Sequence, residues 1–228
     1  MLQQRYATSV CALVLFAAGG EAAPLKEVLA RMDATAAAFK GMTAKIRRVS
    51  HTAVIDEDNI DSGTVTLKRS KPKEVQMLVE LTEPEVKSLA FQGRKLEIYF
   101  PKILTVQEYD LGKSRALLEQ FLLLGFGSTG KELAANYTIA SLGEETVGDK
   151  KAHRLELIPK SAEALQHLKK VELWIAADGG YPSQQKFFLA GGDYTLVTYT
   201  DVKLNPPLSD GALRLKLPKG VKREQIQK

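Results

Sequence analysis

A glycine-rich stretch in the middle of the chain fits parts of two phosphate-binding patterns. Gly125, Gly127 and Gly130 match the dinucleotide pattern G-x-G-x-x-G, and residues 125–131 match the phosphate loop G-x-x-x-x-G-K-[ST] up to its last position. That position holds Glu132, whose carboxylate would repel phosphates where a hydroxyl should contact magnesium. A phosphate loop also follows a strand of a parallel sheet, whereas this stretch follows a helical pattern. We therefore interpret it as a junction between two helices.

The residues on either side of these glycines predict the two helices. Residues 115–124 follow a candidate N-cap, Ser114, and have a broad apolar face that Gly125 and Gly127 terminate. Thr129 and Glu132 form a capping-box pair for a short second helix, which gives Glu132 a role unrelated to nucleotides. The apolar face of the first helix consists of Leu117, Leu118, Phe121, Leu122 and Leu124.

Other residue types that could carry chemistry are scattered. His51, His153 and His167 show no mutual ligand spacing, so we predict no metal site. Ser128 lacks the Gly-x-Ser-x-Gly elbow of a hydrolase nucleophile. The single cysteine, Cys11, lies in the leading segment discussed next. We therefore predict a protein that is not an enzyme and that uses no cofactor.

The first 22 residues have the pattern of an export signal. Arg5 is followed by an apolar run over residues 10–18, and Gly20 and Ala22 are small residues at the two positions that determine cleavage. The run is too short for a permanent membrane anchor, which needs about 20 residues. We predict a signal peptide over residues 1–22, cleaved near Ala22, and one periplasmic domain over residues 23–228.

The charge pattern argues against a nucleic-acid partner. The formal net charge is +5, from 32 basic and 27 acidic residues, and basic residues are interspersed with acidic ones along the chain. A nucleic-acid footprint would be a clustered basic stripe. We expect no nucleic-acid binding and a monomer.

Hydrophobic periodicity divides the exported part into one helix and many strands. Apolar residues recur at helical spacing over residues 25–39, and Gly41 ends the pattern. From residue 44 the period becomes two, with turn residues between short segments, which favours antiparallel meanders. The predicted strands cover residues 63–69, 74–81, 88–92, 94–100, 103–110, 135–142, 151–159, 170–177, 183–190, 194–204 and 212–218.

One apolar face per strand means that the sheet must be covered. We predict a single strongly curved antiparallel sheet, mainly β with helices, in which helix 25–39 and the leucine-rich helix act as covers. Such a sheet either packs solid or encloses a ligand cavity, and the leucine-rich helix alone does not decide between them. The predicted ligand-binding residues on the covered face of the strands are Val65, Leu67, Arg69, Met77, Val79, Phe91, Leu96, Ile98 and Phe100. The predicted lid residues are Leu117, Leu118, Phe121 and Leu122.

Arg69 is the charged member of that set. Its alternation with Val65 and Leu67 turns it toward the covered face. A guanidinium beside an apolar face is costly unless it is hydrogen-bonded, so we expect it to bond to lid carbonyls or to a ligand head group.

The order of blocks along the chain resembles a known family. The blocks are "GTVTLKR", "KLEIYFPKILTVQEYD", "LLEQFLLLGFG", "GEETVGDKKAHRLELIPKS", "KVELWIAADGGYPSQQKFF", "YTLVTYTDVKLNPPL" and "LRLKLPKGV". In this order they resemble the outer-membrane lipoprotein-sorting proteins, the LolA-like periplasmic carriers. The resemblance implies an unclosed β-barrel with a helical lid, whose apolar face takes up lipoprotein acyl chains. It also implies that Arg69 matches the arginine that holds the lid until cargo displaces it.

These observations lead to a functional expectation with two alternatives. The first expectation is a periplasmic carrier that receives acylated cargo from an inner-membrane donor complex, of ABC or RND type, and releases it to an outer-membrane acceptor. The second is a sensor or scaffold of the same fold that acts through a partner without transport. The third is a binding module whose sheet packs solid.

Overall fold

One continuous sheet of twelve strands dominates the fold. The structure, a computed structural model, describes residues 22–71, 74–112, 115–209 and 211–226. The strands are ordered β12-β6-β5-β4-β3-β2-β1-β11-β10-β9-β8-β7, and the two outermost strands do not pair with each other. The sheet is therefore an unclosed barrel with helices on one side, as the sequence predicts.

The elements follow the sequence pattern closely. The helices are α1 (Ala22–Ala38), α2 (Arg115–Leu122), α3 (Gly130–Asn136) and α4 (Ala162–His167). The strands are β1 (Gly41–Thr52), β2 (Glu57–Lys71), β3 (Glu74–Glu83), β4 (Lys87–Gln92), β5 (Lys95–Phe100), β6 (Thr105–Asp110), β7 (Tyr137–Val147), β8 (Lys150–Pro159), β9 (Leu168–Ala176), β10 (Pro182–Leu189), β11 (Tyr194–Leu204) and β12 (Lys222–Ile226).

The C-terminal segment corrects the sequence prediction. Residues 212–218, predicted as a strand, are a turn and extended chain that crosses the outer side of the sheet. Leu213 is buried there against Leu78 and Ala90, and its carbonyl accepts a hydrogen bond from Gln92 at 2.8 Å. The last strand is β12, and it runs parallel to β6, so the sheet is not purely antiparallel. Alternation identified apolar residues in this segment but not the surface that buries them.

Two apolar clusters lie on the inner side of the sheet, where the helices pack. The first cluster joins Val28 and Met32 of α1 to the inner residues of β8 and β9, such as Leu155 and Leu173. The second joins Phe39, which follows α1, to inner residues of β1–β4 and to the loop after α2. The covers are thus those expected, and they divide the sheet into two halves.

The connections between strands lie at two opposite rims, because neighbouring strands alternate in direction. We call upper rim the connections at residues 53–56, 84–86, 101–104, 160–167 and 190–193. We call lower rim the opposite end, with the connections at 93–94, 111–112, 148–149 and 177–181 and the end of α1.

The structure confirms one of the helix predictions and adds one helix that was not predicted. The capping box between Thr129 and Glu132 is present, with both reciprocal hydrogen bonds. Helix α4 was not predicted, because six residues contain too few turns for a periodic signal. Ser114 and almost all of the predicted signal peptide lie outside the described residues. Along the described parts of the chain, no helix has the length and apolar character to cross a bilayer.

Candidate functional site

The strand register brings the predicted lining residues onto one face. Val65 lies opposite Val79, and Leu67 lies opposite Met77. Met77 in turn lies opposite Phe91 on β4. Directly opposed residues of antiparallel strands share a face, so these side chains form one continuous apolar surface on the inner side.

The surface continues onto β5, where Leu96 lies opposite Phe91 and Ile98 lies opposite Leu89. Phe100 follows on the same face by alternation. Burial divides the set: Phe91 and Leu67 are completely or almost completely buried, whereas the others of β3–β5 are only half-buried. We call the half-buried residues the inner trough: Met77, Val79, Leu89, Leu96, Ile98 and Phe100.

Helix α2 lies over the boundary between the two inner clusters. Leu118 and Leu122 pack against the second cluster, together with Met77, Val79 and Leu96. Phe121 points the other way and packs against the first cluster. The side chain of Leu117 lies outside the described residues. Leu118 and Leu122 are therefore the lid residues best placed beside the inner trough.

Arg69 ties together the two segments that cover the sheet. Its Nη1 donates to the carbonyl of Gly127 at 2.8 Å, and its Nη2 donates to the carbonyls of Ala36 and Phe39 at 2.9 and 3.0 Å. The guanidinium also lies 5.5 Å from the centre of the Phe39 ring. The sequence led us to expect lid carbonyls at the end of the helix near Gly125. The structure places the bond two residues later and adds the C-terminal end of α1.

Gly127 has to be glycine for this contact. Its φ is +75°, and a Cβ there would lie 2.6 Å from the Phe39 ring and 3.1 Å from Nη1 of Arg69. The glycine that resembles a phosphate-loop residue thus allows a close approach of backbone, ring and guanidinium. The requirement for glycine at this position therefore follows from packing, and no bound nucleotide is needed to explain it.

A second anchor of α2 was missed by the sequence analysis. Nε2 of Gln185 donates to the carbonyl of Leu124 at 2.5 Å, and the Tyr199 hydroxyl donates to Oε1 of Gln185 at 2.6 Å. Burial raises the pKa of Tyr199, so its hydroxyl stays protonated and donates. The Tyr199 ring meets Phe126 edge-on at 5.0 Å. The only available signal was a glutamine at an inner position of β10, and alternation alone does not name its partner.

The three histidines lie apart from one another. His51 bonds to Asp58 at 2.8 Å, and His153 bonds to the Ser141 hydroxyl at 2.7 Å. His167 is exposed at the end of α4. Within the described residues, no group of three His, Cys, Asp or Glu side chains could hold a metal ion.

Comparisons with known proteins give likeness of fold. No family model and no curated protein matches the chain. Among solved structures, an uncharacterized conserved protein from Thermus thermophilus is similar at 14% identity and a TM-score of 0.55, over 89% of this chain and 99% of that one. The protein MucB is similar at 14% identity and a TM-score of 0.51, over 86% of this chain. The chain spans 64% of the length of MucB.

Similar structures also include a LolA superfamily protein from Nitrosomonas europaea, at 17% identity and a TM-score of 0.39, over 83% of this chain and 97% of that one. At these identities the comparisons show a fold and leave ligands open. The architecture that the resemblance implies, an unclosed sheet whose inner side is covered by helices, is confirmed in the chain itself.

Proposed function

We propose that this protein binds the acyl chains of lipids or lipid-modified proteins in the inner trough beneath α2. The observation that carries the proposal is Arg69, whose guanidinium holds both covers closed beside an apolar surface that is only half-buried. Acyl chains suit such a surface because each methylene removed from water contributes about 0.8 kcal/mol.

The hydrogen bonds of Arg69 explain why binding would be reversible. Charge-assisted hydrogen bonds to carbonyls contribute about 1.5 to 3 kcal/mol, and a ligand that moves the covers has to replace them. The free energy needed to open the covers therefore lowers the affinity for an acyl chain. A lower affinity allows the protein to release its ligand.

The finer function is a periplasmic carrier that takes acylated cargo from an inner-membrane donor, of ABC or RND type, to an outer-membrane acceptor. The export pattern of residues 1–22 and the LolA-like fold support this assignment. Native mass spectrometry of protein purified from its own periplasm would identify a bound lipid. The proposal is wrong if the protein carries no lipid there and also binds no acyl probe in vitro.

Arg69→Leu is the sharpest test of the closure. The variant removes the bonds to the covers and adds apolar surface, so it should bind a fluorescent fatty acid more tightly and pass it more slowly from donor to acceptor vesicles. Arg69→Lys should show a smaller increase in probe affinity and a smaller decrease in transfer rate, because an ammonium does not reproduce the planar fork that reaches several carbonyls.

Arg47→Leu is the matched control, since Arg47 is exposed on the outer side of β1 and loses the same charge. Normal probe affinity and normal transfer in Arg69→Leu would show that Arg69 only stabilises the fold. Probe binding by the wild type without any transfer between vesicles would instead favour the sensor or scaffold function.

A further inference from the structure

In the part of the chain that the structure describes, large apolar side chains are exposed almost exclusively at one end of the molecule. Among the described residues, ten large hydrophobic side chains are exposed, and Val54 reaches 90%. Six of them lie in the connections of the upper rim: Val54, Ile55, Val86, Ile103, Leu104 and Leu165. Three more lie in strand ends beside that rim, and Leu142 in the middle of β7 is the exception.

The connections that carry these residues are neighbours in space. The order of strands places the connections β5–β6, β3–β4, β1–β2, β10–β11 and β8–β9 side by side along the rim. Two of the gaps are bridged: Nζ of Lys102 bonds to Glu85 at 2.8 Å, and the backbone N–H of Ala53 donates to Asp193 at 2.8 Å. The exposed aliphatic side chains therefore form one row, held by the sheet.

We propose that the upper rim is a membrane-contacting surface, which inserts its aliphatic tips into the interface of a lipid bilayer. Exposed apolar patches mark interaction sites, because leaving them in water costs free energy. A row of separate tips with Val54 standing almost wholly in solvent fits a fluid surface, which adapts to each tip. A shaped protein groove would have to match four separate connections at once.

The residue types also favour lipid over a protein partner. Protein interfaces are enriched in Trp, Tyr and Arg at their centres. The exposed large hydrophobic residues described here are all Val, Ile or Leu. Aliphatic side chains gain as much from acyl chains as from a protein core, without needing directional contacts.

The connections of the upper rim carry more acidic than basic residues: Asp56, Glu85, Glu163 and Asp193 against Lys102 and Lys160. Lys102 pairs with Glu85, and His51 bonds to Asp58 at 2.8 Å. This excess of acidic charge gives no attraction to anionic lipids, so binding should depend on apolar insertion and should not weaken as ionic strength rises, as an electrostatic attraction would.

The rim also adjoins the inner trough, so a membrane contact there could pass an acyl chain to the trough. This role rests on the proposed function. Phe100 is the last trough residue on β5, and the next residues form the tip with Ile103 and Leu104. An acyl chain that leaves the bilayer at this tip would meet the trough at Phe100, three residues from Ile103.

The test is binding to protein-free vesicles of phosphatidylethanolamine and phosphatidylglycerol by co-sedimentation. The full protein should bind, and the double variant Val54→Ser, Ile55→Ser should bind at least tenfold more weakly at both low and high salt. Leu142→Ser is the matched control, because Leu142 is exposed but far from the rim, and it should bind as the wild type does. The emission maximum of an environment-sensitive fluorophore attached at Ile55→Cys, in a Cys11→Ser background, should shift to the blue when vesicles are added.

The outcomes separate this inference from the proposed function. Failure of the wild type to bind vesicles, or equal binding by the double variant, overturns the membrane surface. Rim-dependent binding to a purified membrane protein but not to vesicles also overturns it and assigns the rim to a protein partner. The double variant should bind a fatty-acid probe in solution as the wild type does. If the wild type binds no such probe, the proposed function is wrong, whatever the result with vesicles.

Discussion

The two halves of the sheet use the same alternation and reach different degrees of closure. In the half formed by β7–β10, inner residues such as Leu155, Leu173 and Ile175 are completely buried. In the half formed by β1–β6 and β11, the inner residues Met77 and Val79 remain half-buried under α2. We call these the closed half and the open half.

The difference comes from what covers each half. The closed half receives Val28 and Met32 of the 17-residue α1 and also Leu133 of α3. The open half receives Phe39, Phe126 and two leucines of the eight-residue α2. Alternation therefore makes a face apolar, whereas the length and number of the covering helices decide whether the face is filled.

The largest expected effect comes from truncating one inner residue in each half. Leu173→Ala in the closed half should lower the free energy of unfolding by about 3 kcal/mol, because the cavity is surrounded by packed neighbours. Met77→Ala in the open half should cost clearly less and should weaken binding of an acyl probe. Urea denaturation measures the free energy of unfolding, and probe titration measures the affinity. If both variants are destabilised equally and Met77→Ala binds the probe normally, the open half is packed as tightly as the closed half.

An intermediate effect is expected at the joint between the halves. Gln185 connects Leu124, which packs in the closed half, to Tyr199, which packs in the open half. Gln185→Leu leaves a buried carbonyl and a buried hydroxyl unpaired and should cost about 2 kcal/mol. Tyr199→Phe should cost less, since it leaves only Oε1 of Gln185 without its partner.

Amide hydrogen exchange gives the specific readout for that joint. Amides of α2 should exchange faster in Gln185→Leu, while those of β8 and β9 should change little. Uniformly faster exchange across both halves would mean that Gln185 stabilises the whole fold and does not anchor the cover.

The smallest expected effect is a pH dependence confined to the closed half. Burial lowers the pKa of His153 below its ordinary value of 6.5, Arg31 lowers it further, and Glu144 opposes the shift. The unfolded chain then binds a proton more readily than the folded one, so stability is complete above pH 6.5 and falls as the pH drops below it.

His153→Gln should remove this part of the pH dependence in thermal melts from about pH 7.5 to about pH 5, a range that spans the titration of histidine. His167→Gln is the control, because His167 is exposed. An unchanged pH profile in His153→Gln would show that other groups cause the loss of stability.

The site was predictable to the extent that it depends on strand parity. Val65, Leu67, Met77, Val79, Phe91 and Leu96 share a face because period two fixes it, and the register confirms this arrangement. Phe121 shows the limit, since helical spacing placed it in one apolar stripe with Leu118 and Leu122, yet it packs in the other half. Their role as ligand contacts stays a prediction.

The sequence by itself determined the class of fold, the alternating faces, the capped helix after Thr129 and the inward direction of Arg69, because these depend on interactions between near neighbours. Only the tertiary structure decided that Arg69 bonds to Ala36, Phe39 and Gly127. Only the tertiary structure also shows that Leu213 is buried on the outer side of the sheet and that β12 pairs in parallel with β6. Those contacts join residues far apart in the chain, and many partners satisfy the same local pattern until packing selects one.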